Sequence, residues 1–120
     1  MFINVSNHSS EKWSQAQKAA ALYYGEIVDI PFPNIDPRAT LQDISHLVKE
    51  YAQKILEFFE APVVMVQGEY TFTHRLVNCL QSYNITVVSA CSERKTVESV
   101  AEDGTVIKRS EFVFVQFRQY

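Results

Sequence analysis

A glycine between a buried strand and a helix is the feature of this chain best suited to chemistry. The run from Val63 to Thr73 (VVMVQGEYTFT) predicts a strand that ends near Gly68 and a helix with threonines in its first turn. Glycine lets the backbone approach a ligand closely, because it carries no side chain. The unpaired N–H groups and the positive dipole end of the following helix attract anions. The junction therefore indicates a site for a phosphorylated ligand.

Polar clusters follow three of the predicted strands, and their residue types suit phosphate binding and proton transfer. They are Asn7, His8, Ser9 and Ser10 after the first strand, Gly68, Glu69, Thr71 and Thr73 after the third, and Ser92, Glu93, Arg94 and Lys95 after the fourth. Because the carboxyl ends of parallel strands meet at one edge of an open sheet, we expect the clusters to share one rim. Each cluster alone is equally compatible with capping a helix or ending a strand. The three together favour a ligand site.

Two ring side chains near this rim have both a functional and a structural interpretation. As a histidine, His8 suits general acid–base chemistry or donation to a phosphate, or it is a hydrogen-bonded loop residue. Trp13 belongs either to the core or to a surface on which a purine stacks. His46 and His74 fall within predicted helices, which favours surface or interface roles for both.

The elements that must position these residues alternate along the chain as β-α-β-α-β-α-β. The predicted strands are Phe2 to Ser6, Glu26 to Ile30, Val63 to Gln67 and Ile85 to Ser89, and the predicted helices run from about Ser14 to Tyr24, Thr40 to Phe58 and Thr71 to Tyr83. This alternation predicts a parallel sheet with right-handed crossovers. The runs Arg94 to Ala101 and Thr105 to Phe117 then flank the turn Glu102-Asp103-Gly104, which is a hairpin signal. We therefore expect a single α/β domain over residues 1–120, a Rossmann-like three-layer sandwich whose mainly parallel sheet is extended by a C-terminal antiparallel hairpin.

The second strand of this hairpin is unusually apolar. The stretch from Glu111 to Phe117 (EFVFVQF) is too apolar to stand alone in water. It must cover the core, pair with the sheet, or form a subunit interface.

Composition excludes several classes of function. The chain has 120 residues with 11 Lys and Arg against 14 Asp and Glu, a net charge of −3, which speaks against a protein that coats long nucleic acid. A short phosphorylated ligand needs only a few local cations. The N-terminus turns polar at once, unlike a signal peptide, and no apolar stretch approaches the roughly 20 residues of a membrane span. Cys79 and Cys91 lack zinc-site spacing and suggest reduced thiols in a cytoplasm.

Several familiar catalytic and phosphate-binding motifs do not occur in the sequence. It contains no GxGxxG, no GxxxxGK[ST] and no GxSxG, which disfavours a dinucleotide site of the usual kind, a P-loop and a hydrolase nucleophile elbow. The predicted strand ends also lack the acidic cluster of a magnesium-dependent phosphotransfer site. We therefore expect any chemistry here to proceed without a metal or cofactor.

Three runs of the sequence together resemble a known family. The strand-to-helix run from Val66 to Thr73, the N-terminal Asn7-His8-Ser9-Ser10 and the later Ser92-Glu93-Arg94-Lys95 are similar to those of small single-domain CRISPR-associated Rossmann-like proteins. These proteins are related to the CARF (CRISPR-associated Rossmann fold) sensors and include ring nucleases. The resemblance covers Phe2 to Tyr120. It departs from CARF domains where Gln67-Gly68-Glu69-Tyr70-Thr71 replaces a Thr-Gly-Gly-Thr-like element.

The resemblance implies a metal-independent ring nuclease that binds and linearises cyclic oligoadenylate, with the four-adenylate ring expected, and so switches off type III CRISPR signalling. It also implies a homodimer, because a ring of even number has a twofold axis that an isologous dimer matches. The implied roles are phosphate stabilisation by Arg94 and Lys95, phosphate binding by Gly68 and Thr71, ribose or backbone positioning by Asn7 and Ser9, and proton transfer by His8 or Glu69. Ser10, Thr73 and Ser92 complete the expected pocket.

Two other functions stay open from the sequence. A non-catalytic sponge or sensor of the same ring would use the same residues, since binding and alignment need the same groups. A flavodoxin-like or mononucleotide-binding accessory protein would act through protein contacts, for which the apolar C-terminal strand is suited.

Overall fold

The computed structural model describes residues 1–58 and 60–120, and within them five strands form one sheet that three α-helices cover. In chain order the elements are β1 (Phe2–Ser6), α1 (Gln15–Leu22), β2 (Ile27–Asp29), α2 (Leu41–Leu56), β3 (Val63–Gln67), α3 (Tyr70–Ser82), β4 (Thr86–Val100) and β5 (Val106–Gln119). A short 3-10 turn, Ser10–Lys12, lies between β1 and α1. The sequence did not predict this turn.

The strand order is β2-β1-β3-β4-β5, with β1 to β4 parallel and β5 antiparallel to β4. The expected α/β class, the mainly parallel sheet and the C-terminal antiparallel hairpin are therefore confirmed. The chain adds β2 on one side of β1 and then returns to add β3 on the other side. With right-handed crossovers, this reversal places α1 on one face of the sheet and α2 and α3 on the other.

Both faces of the central strands are buried, and alternate residues serve opposite cores. On one face, Trp13 and Ala21 pack with Phe2, Met65 and Val88. The larger core lies under α2 and α3. It includes Ile3, Val5, Val64, Val66, Val87, Ile44, Val48, Ile55, Phe72, Leu76 and Leu80. The helical spacing in α2 and α3 predicted most of the residues that face this core.

Local signals set the helix boundaries. Thr40 and Asp43 form both hydrogen bonds of a capping box at the start of α2, and bonds donated by Thr40 lower the pKa of the Asp43 carboxyl. Ser14 accepts from the Gln17 N–H at the start of α1. Gly25, with φ of +119°, follows α1 in a backbone conformation that side chains rarely adopt, as its glycine predicted. None of the helices within residues 1–58 and 60–120 has the length and apolarity needed to cross a membrane.

The predicted end of the fourth strand at Ser89 is wrong. β4 continues to Val100 and pairs with β5 along its length, apart from a bulge at Val115 where the register shifts by one residue. The polar residues Ser92 and Glu93 suggested a loop, but a two-stranded ribbon exposes both faces to water and accepts polar residues. We call residues 92–115 the arm and the rest of the described chain the body.

The arm makes the molecule elongated. Its extents are 56 × 37 × 21 Å and its radius of gyration is 17.3 Å, against about 14 Å for a compact chain of this length. A sheet with helices on both faces thus ends in a ribbon of which only one end contacts the body.

Candidate ligand crevice at the strand ends

An open crevice of about 810 Å³ lies at the carboxyl ends of β1 and β3, the point where the strand order reverses. Open α/β sheets bind their ligands at this position, because the loops after the two strands diverge to opposite faces. The volume falls within the 300–1,000 Å³ typical of small-molecule sites. The rim expected from the sequence is therefore present as a cavity.

The lining combines polar groups with aromatic rings. Asn7 and His8 come from the loop after β1, Lys12 from the 3-10 turn, and Gln67 and Gly68 from the end of β3. The rings are those of Trp13, Tyr70, Phe112 and Phe114. Tyr70 is 91% exposed, and Trp13 is nearly buried, so Trp13 serves the core and the crevice wall at once. Such a surface suits a ligand with flat bases and a polar backbone.

A buried hydrogen-bond network holds the loop that presents Asn7 and His8. Asn4, almost fully buried in β1, donates through Nδ2 to the His8 carbonyl and to Asp29 Oδ1, both at 2.8 Å. The Ser6 hydroxyl donates to Asn4 Oδ1 at 2.7 Å, and the His8 N–H donates to Ser6 Oγ at 3.2 Å. The His8 backbone is therefore fixed at a position that lines the crevice.

Ser9 and Ser10, expected to bind ligand, point to Asp29 at the end of β2. The Ser10 hydroxyl donates to Asp29 Oδ2 at 2.8 Å and its N–H to Oδ1 at 3.2 Å. Ser9 accepts from the Glu11 N–H and so caps the 3-10 turn. Neither serine lines the crevice. Their role in the structure is to fold the loop back over the strand ends.

Close packing against a core ring explains why a glycine stands at position 68, at the end of β3. A Cβ added at Gly68 would come within 2.5 Å of Cε2 of Phe32, whose ring packs edge-on against Phe72 in the core. The same glycine also lines the crevice, so a side chain there would disturb both the core and the cavity wall.

Glu69 does not face a ligand as a free carboxylate. It is the N-cap of α3, and its Oε1 accepts from the Phe72 N–H at 2.7 Å. The carboxylate therefore occupies the helix end that an anionic ligand would otherwise use. Thr71 is exposed on α3 and Thr73 turns inward, and neither lines the crevice. Phosphate binding by the first turn of α3 is thus disfavoured on electrostatic grounds.

The third expected cluster, residues 92–95, lies on the arm, and only part of it reaches the crevice. Ser92 lines the crevice, whereas Glu93, Arg94 and Lys95 do not. Arg94 donates to Ser110 Oγ at 3.1 Å across the ribbon, and Lys95 pairs with Glu93 at 3.9 Å. Successive residues of a strand point to opposite faces, so Arg94 and Lys95 cannot both serve the crevice of one chain. Arg94 and Lys95 therefore lie on opposite faces of the ribbon, because the fourth strand is longer than predicted.

Two side chains that sequence reasoning missed join the sheet edge to the body. Gln67 accepts from the Ala90 N–H at 2.9 Å, beyond the last paired residues of β3 and β4. Tyr120 donates from its hydroxyl to the Val66 carbonyl at 2.5 Å, and burial, with a smaller contribution from Cys91, raises the pKa of its phenol. A terminal tyrosine after an apolar strand was the available signal for this anchor.

Asn4, Lys12 and Asp29 were also missed. An asparagine within a buried strand was the signal for the first, because an apolar strand tolerates a polar side chain only where its hydrogen bonds are satisfied. Among residues 1–58 and 60–120, no three His, Cys, Asp or Glu side chains gather as a metal site would require.

No curated protein and no solved structure matches the chain. One family model does, over residues 1–118, which is nearly the whole length. The chain thus belongs to the family described as the Uncharacterized protein MJ1673 family.

Proposed function

We propose that the chain binds a cyclic oligoadenylate in the crevice and linearises it as a metal-independent ring nuclease of type III CRISPR signalling. The observation that carries the proposal is the meeting of aromatic rings with amide, imidazole and ammonium groups at the β1 and β3 ends. Tyr70 offers an exposed ring for adenine, because stacking requires only a flat face. Asn7 and Lys12 offer donors for the phosphodiester backbone. The choice of a cyclic oligoadenylate among such ligands rests on the resemblance of the sequence to CRISPR-associated Rossmann-like proteins.

The cleavage step needs little machinery. A ribose 2′-hydroxyl gives up its proton to a base as its oxygen bonds to the adjacent phosphorus. The bond from phosphorus to the 5′-oxygen breaks, and a proton is delivered to that leaving oxygen. The products are a 2′,3′-cyclic phosphate and a 5′-hydroxyl, with no other reactant consumed. His8 is the group assigned to proton transfer, since it lines the crevice on a fixed backbone. Lys12 takes the charge-stabilising role expected of Arg94 and Lys95.

Incubation of labelled cyclic tetra-adenylate with excess protein in EDTA tests the activity. We expect a linear product with a 2′,3′-cyclic phosphate end. His8→Ala should slow cleavage by about 100-fold or more while the ring still binds, as expected for loss of a general acid or base. His46→Ala, an exposed histidine on α2, is the matched control and should cleave normally. Equal rates for the two variants would remove His8 from the mechanism.

A non-catalytic sponge is the second candidate, and one observation favours it. Glu69 is engaged in capping α3 and Arg94 and Lys95 lie outside the crevice, so fewer groups remain for catalysis than the sequence suggested. A ring that stays bound and uncut by the wild-type protein would establish this function in place of the nuclease.

Binding itself has its own test, separate from cleavage. Thermal stability should rise with cyclic tetra-adenylate more than with AMP, because a ligand that binds only the folded state raises apparent stability. Lys12→Met should weaken binding about tenfold, and Lys49→Met on α2 should not. An equal response to AMP and the ring would favour the mononucleotide-binding alternative. We propose a cytoplasmic location for this activity, in keeping with free thiols at Cys79 and Cys91.

A further inference from the structure

The arm exposes more surface than a monomer of this mass ordinarily has. The accessible surface is 8263 Å², against about 6,600 Å² expected for a folded chain of 13.8 kDa. The excess of about 1,600 Å² arises where the ribbon leaves the body. A standard interface buries about 800 Å² on each partner. The arm therefore carries enough surplus area for one.

Apolar side chains account for part of this surplus, and they form two groups. On the face of the ribbon that also lines the crevice, Phe112 and the half-buried Phe114 lie near the root of the arm, and Val100 and Val106, which pair with each other, lie near its tip. We call Phe112 and Phe114 the root cluster and Val100 and Val106 the tip cluster. Phe112 is 75% exposed and Val100 73%. An isolated two-stranded ribbon is marginal in water, so side chains of this kind call for a covering surface.

The charge of the arm argues for a second copy of this chain as the occupant. The arm holds four cationic residues, Arg94, Lys95, Lys108 and Arg109, and five acidic ones, Glu93, Glu98, Glu102, Asp103 and Glu111. Three ion pairs form within it: Lys95 with Glu93, Lys108 with Glu98, and Arg109 with Glu111. Nucleic acid or an anionic membrane would need a net positive surface. A nearly neutral, internally paired arm instead lets two identical arms approach without repulsion.

We infer that two copies dimerise arm to arm, with the root cluster of each packed against the tip cluster of the other. An isologous twofold contact pairs two different patches reciprocally, and the arm carries such patches on one face about 20 Å apart, the span from Val106 to Phe112 at roughly 3.4 Å per residue. The ribbons pack by their faces, because the bulge at Val115 and the charges along β5 blunt its free edge. The dimer is inferred from the exposed area and charge of the arm, and it depends neither on the proposed ligand nor on the family resemblance.

Sedimentation of the full chain without ligand, over a range of protein concentrations, tests the inference. We expect a concentration-dependent dimer. Phe112→Ser at the root and Val106→Lys at the tip should each raise the dissociation constant at least tenfold. Leu22→Ser, which changes an exposed apolar residue of the body, should leave it unchanged. Circular dichroism confirms that the variants are folded.

Three results would overturn the inference. They are a wild-type chain that stays monomeric at the highest concentration, a dimer that the arm substitutions do not weaken, and a dimer lost equally in Leu22→Ser. A monomer that still binds the ring would overturn the arm interface alone. A dimer that does not bind cyclic tetra-adenylate would overturn the proposed function alone.

Discussion

The body and the arm of this molecule use the same β-strand pairing for different purposes. In the body, strands are buried on both faces, and even polar residues such as Asn4 are held by several hydrogen bonds. In the arm, nearly every side chain is exposed and only the partner strand constrains it. Side-chain positions in the body therefore result from packing, whereas the exposed apolar side chains of the arm are those that the inferred dimer would cover.

The largest expected difference concerns two phenylalanines. Phe72 is fully buried in α3, so Phe72→Ala should lower the free energy of unfolding by about 3–5 kcal/mol. Phe112→Ala should change it by under about 1 kcal/mol, and that change should depend on protein concentration, because it acts through the dimer. Urea denaturation at two concentrations measures both. A large, concentration-independent loss at Phe112 would mean that the arm is part of the folding core.

The next effect separates structure from function inside the crevice. Asn4→Ala removes the hydrogen bonds that Asn4 makes with Ser6, the His8 carbonyl and Asp29, so we expect a loss of about 1–3 kcal/mol in the free energy of unfolding. Asn7→Ala, an exposed change in the same loop, should cost under about 0.5 kcal/mol and weaken ring binding instead. Equal stability losses for the two variants would contradict the division between scaffold and ligand contact.

The body and the arm each contain a glycine whose replacement by alanine should be destabilising, but for different reasons. Gly68→Ala forces a Cβ into the Phe32 ring, for which we expect a loss of about 1–3 kcal/mol in unfolding free energy. Phe32→Leu in the same chain should restore part of it. Gly104→Ala meets no atom within 4 Å but holds φ of +84°, so its cost of about 1 kcal/mol comes from the backbone of the arm turn. Rescue of Gly104→Ala by Phe32→Leu would refute this distinction.

The smallest effect tests the junction of arm and body. Tyr120→Phe removes the bond to the Val66 carbonyl and should cost about 1 kcal/mol of unfolding free energy at neutral pH. Because burial raises the phenol pKa above its ordinary value of 10.0, the folded state holds this proton more tightly than the unfolded state. The contribution is therefore present below pH 10 and is lost as pH rises through the folded pKa. Wild type and variant should converge there, and a constant difference would contradict the anchor.

The body was predictable where short-range chemistry decides the outcome. The strands Phe2–Ser6 and Val63–Gln67 and the cap at Thr40 follow from apolar runs, hydroxyls and helical spacing. The crevice was predictable in place, since parallel topology alone puts strand ends together. The roles of individual residues at the crevice were not predictable, because their hydrogen bonds depend on the folded structure. Ser10 bonds to Asp29, Ser9 caps the 3-10 turn and Glu69 caps α3.

In the arm, the hairpin was predictable but its continuity with the fourth strand was not. The turn signal at Glu102-Asp103-Gly104 and the runs on either side of it predicted the pairing of the two strands. Ser92 and Glu93 read as a polar break after Ser89, since composition cannot distinguish a loop from a ribbon that water surrounds on both sides. Their partners Phe114 and Val113 lie about 20 residues further along the chain.

Hydrogen exchange with and without cyclic tetra-adenylate, at two protein concentrations, tests the account most directly. Bound ring should slow exchange at residues 7–12 and 67–70, the two sides of the crevice, and leave the outer surfaces of α2 and α3 unchanged. Exchange in residues 92–115 should instead slow as the protein concentration rises. Ring-dependent protection confined to the arm or to α2 and α3, with residues 7–12 unaffected, would contradict the account.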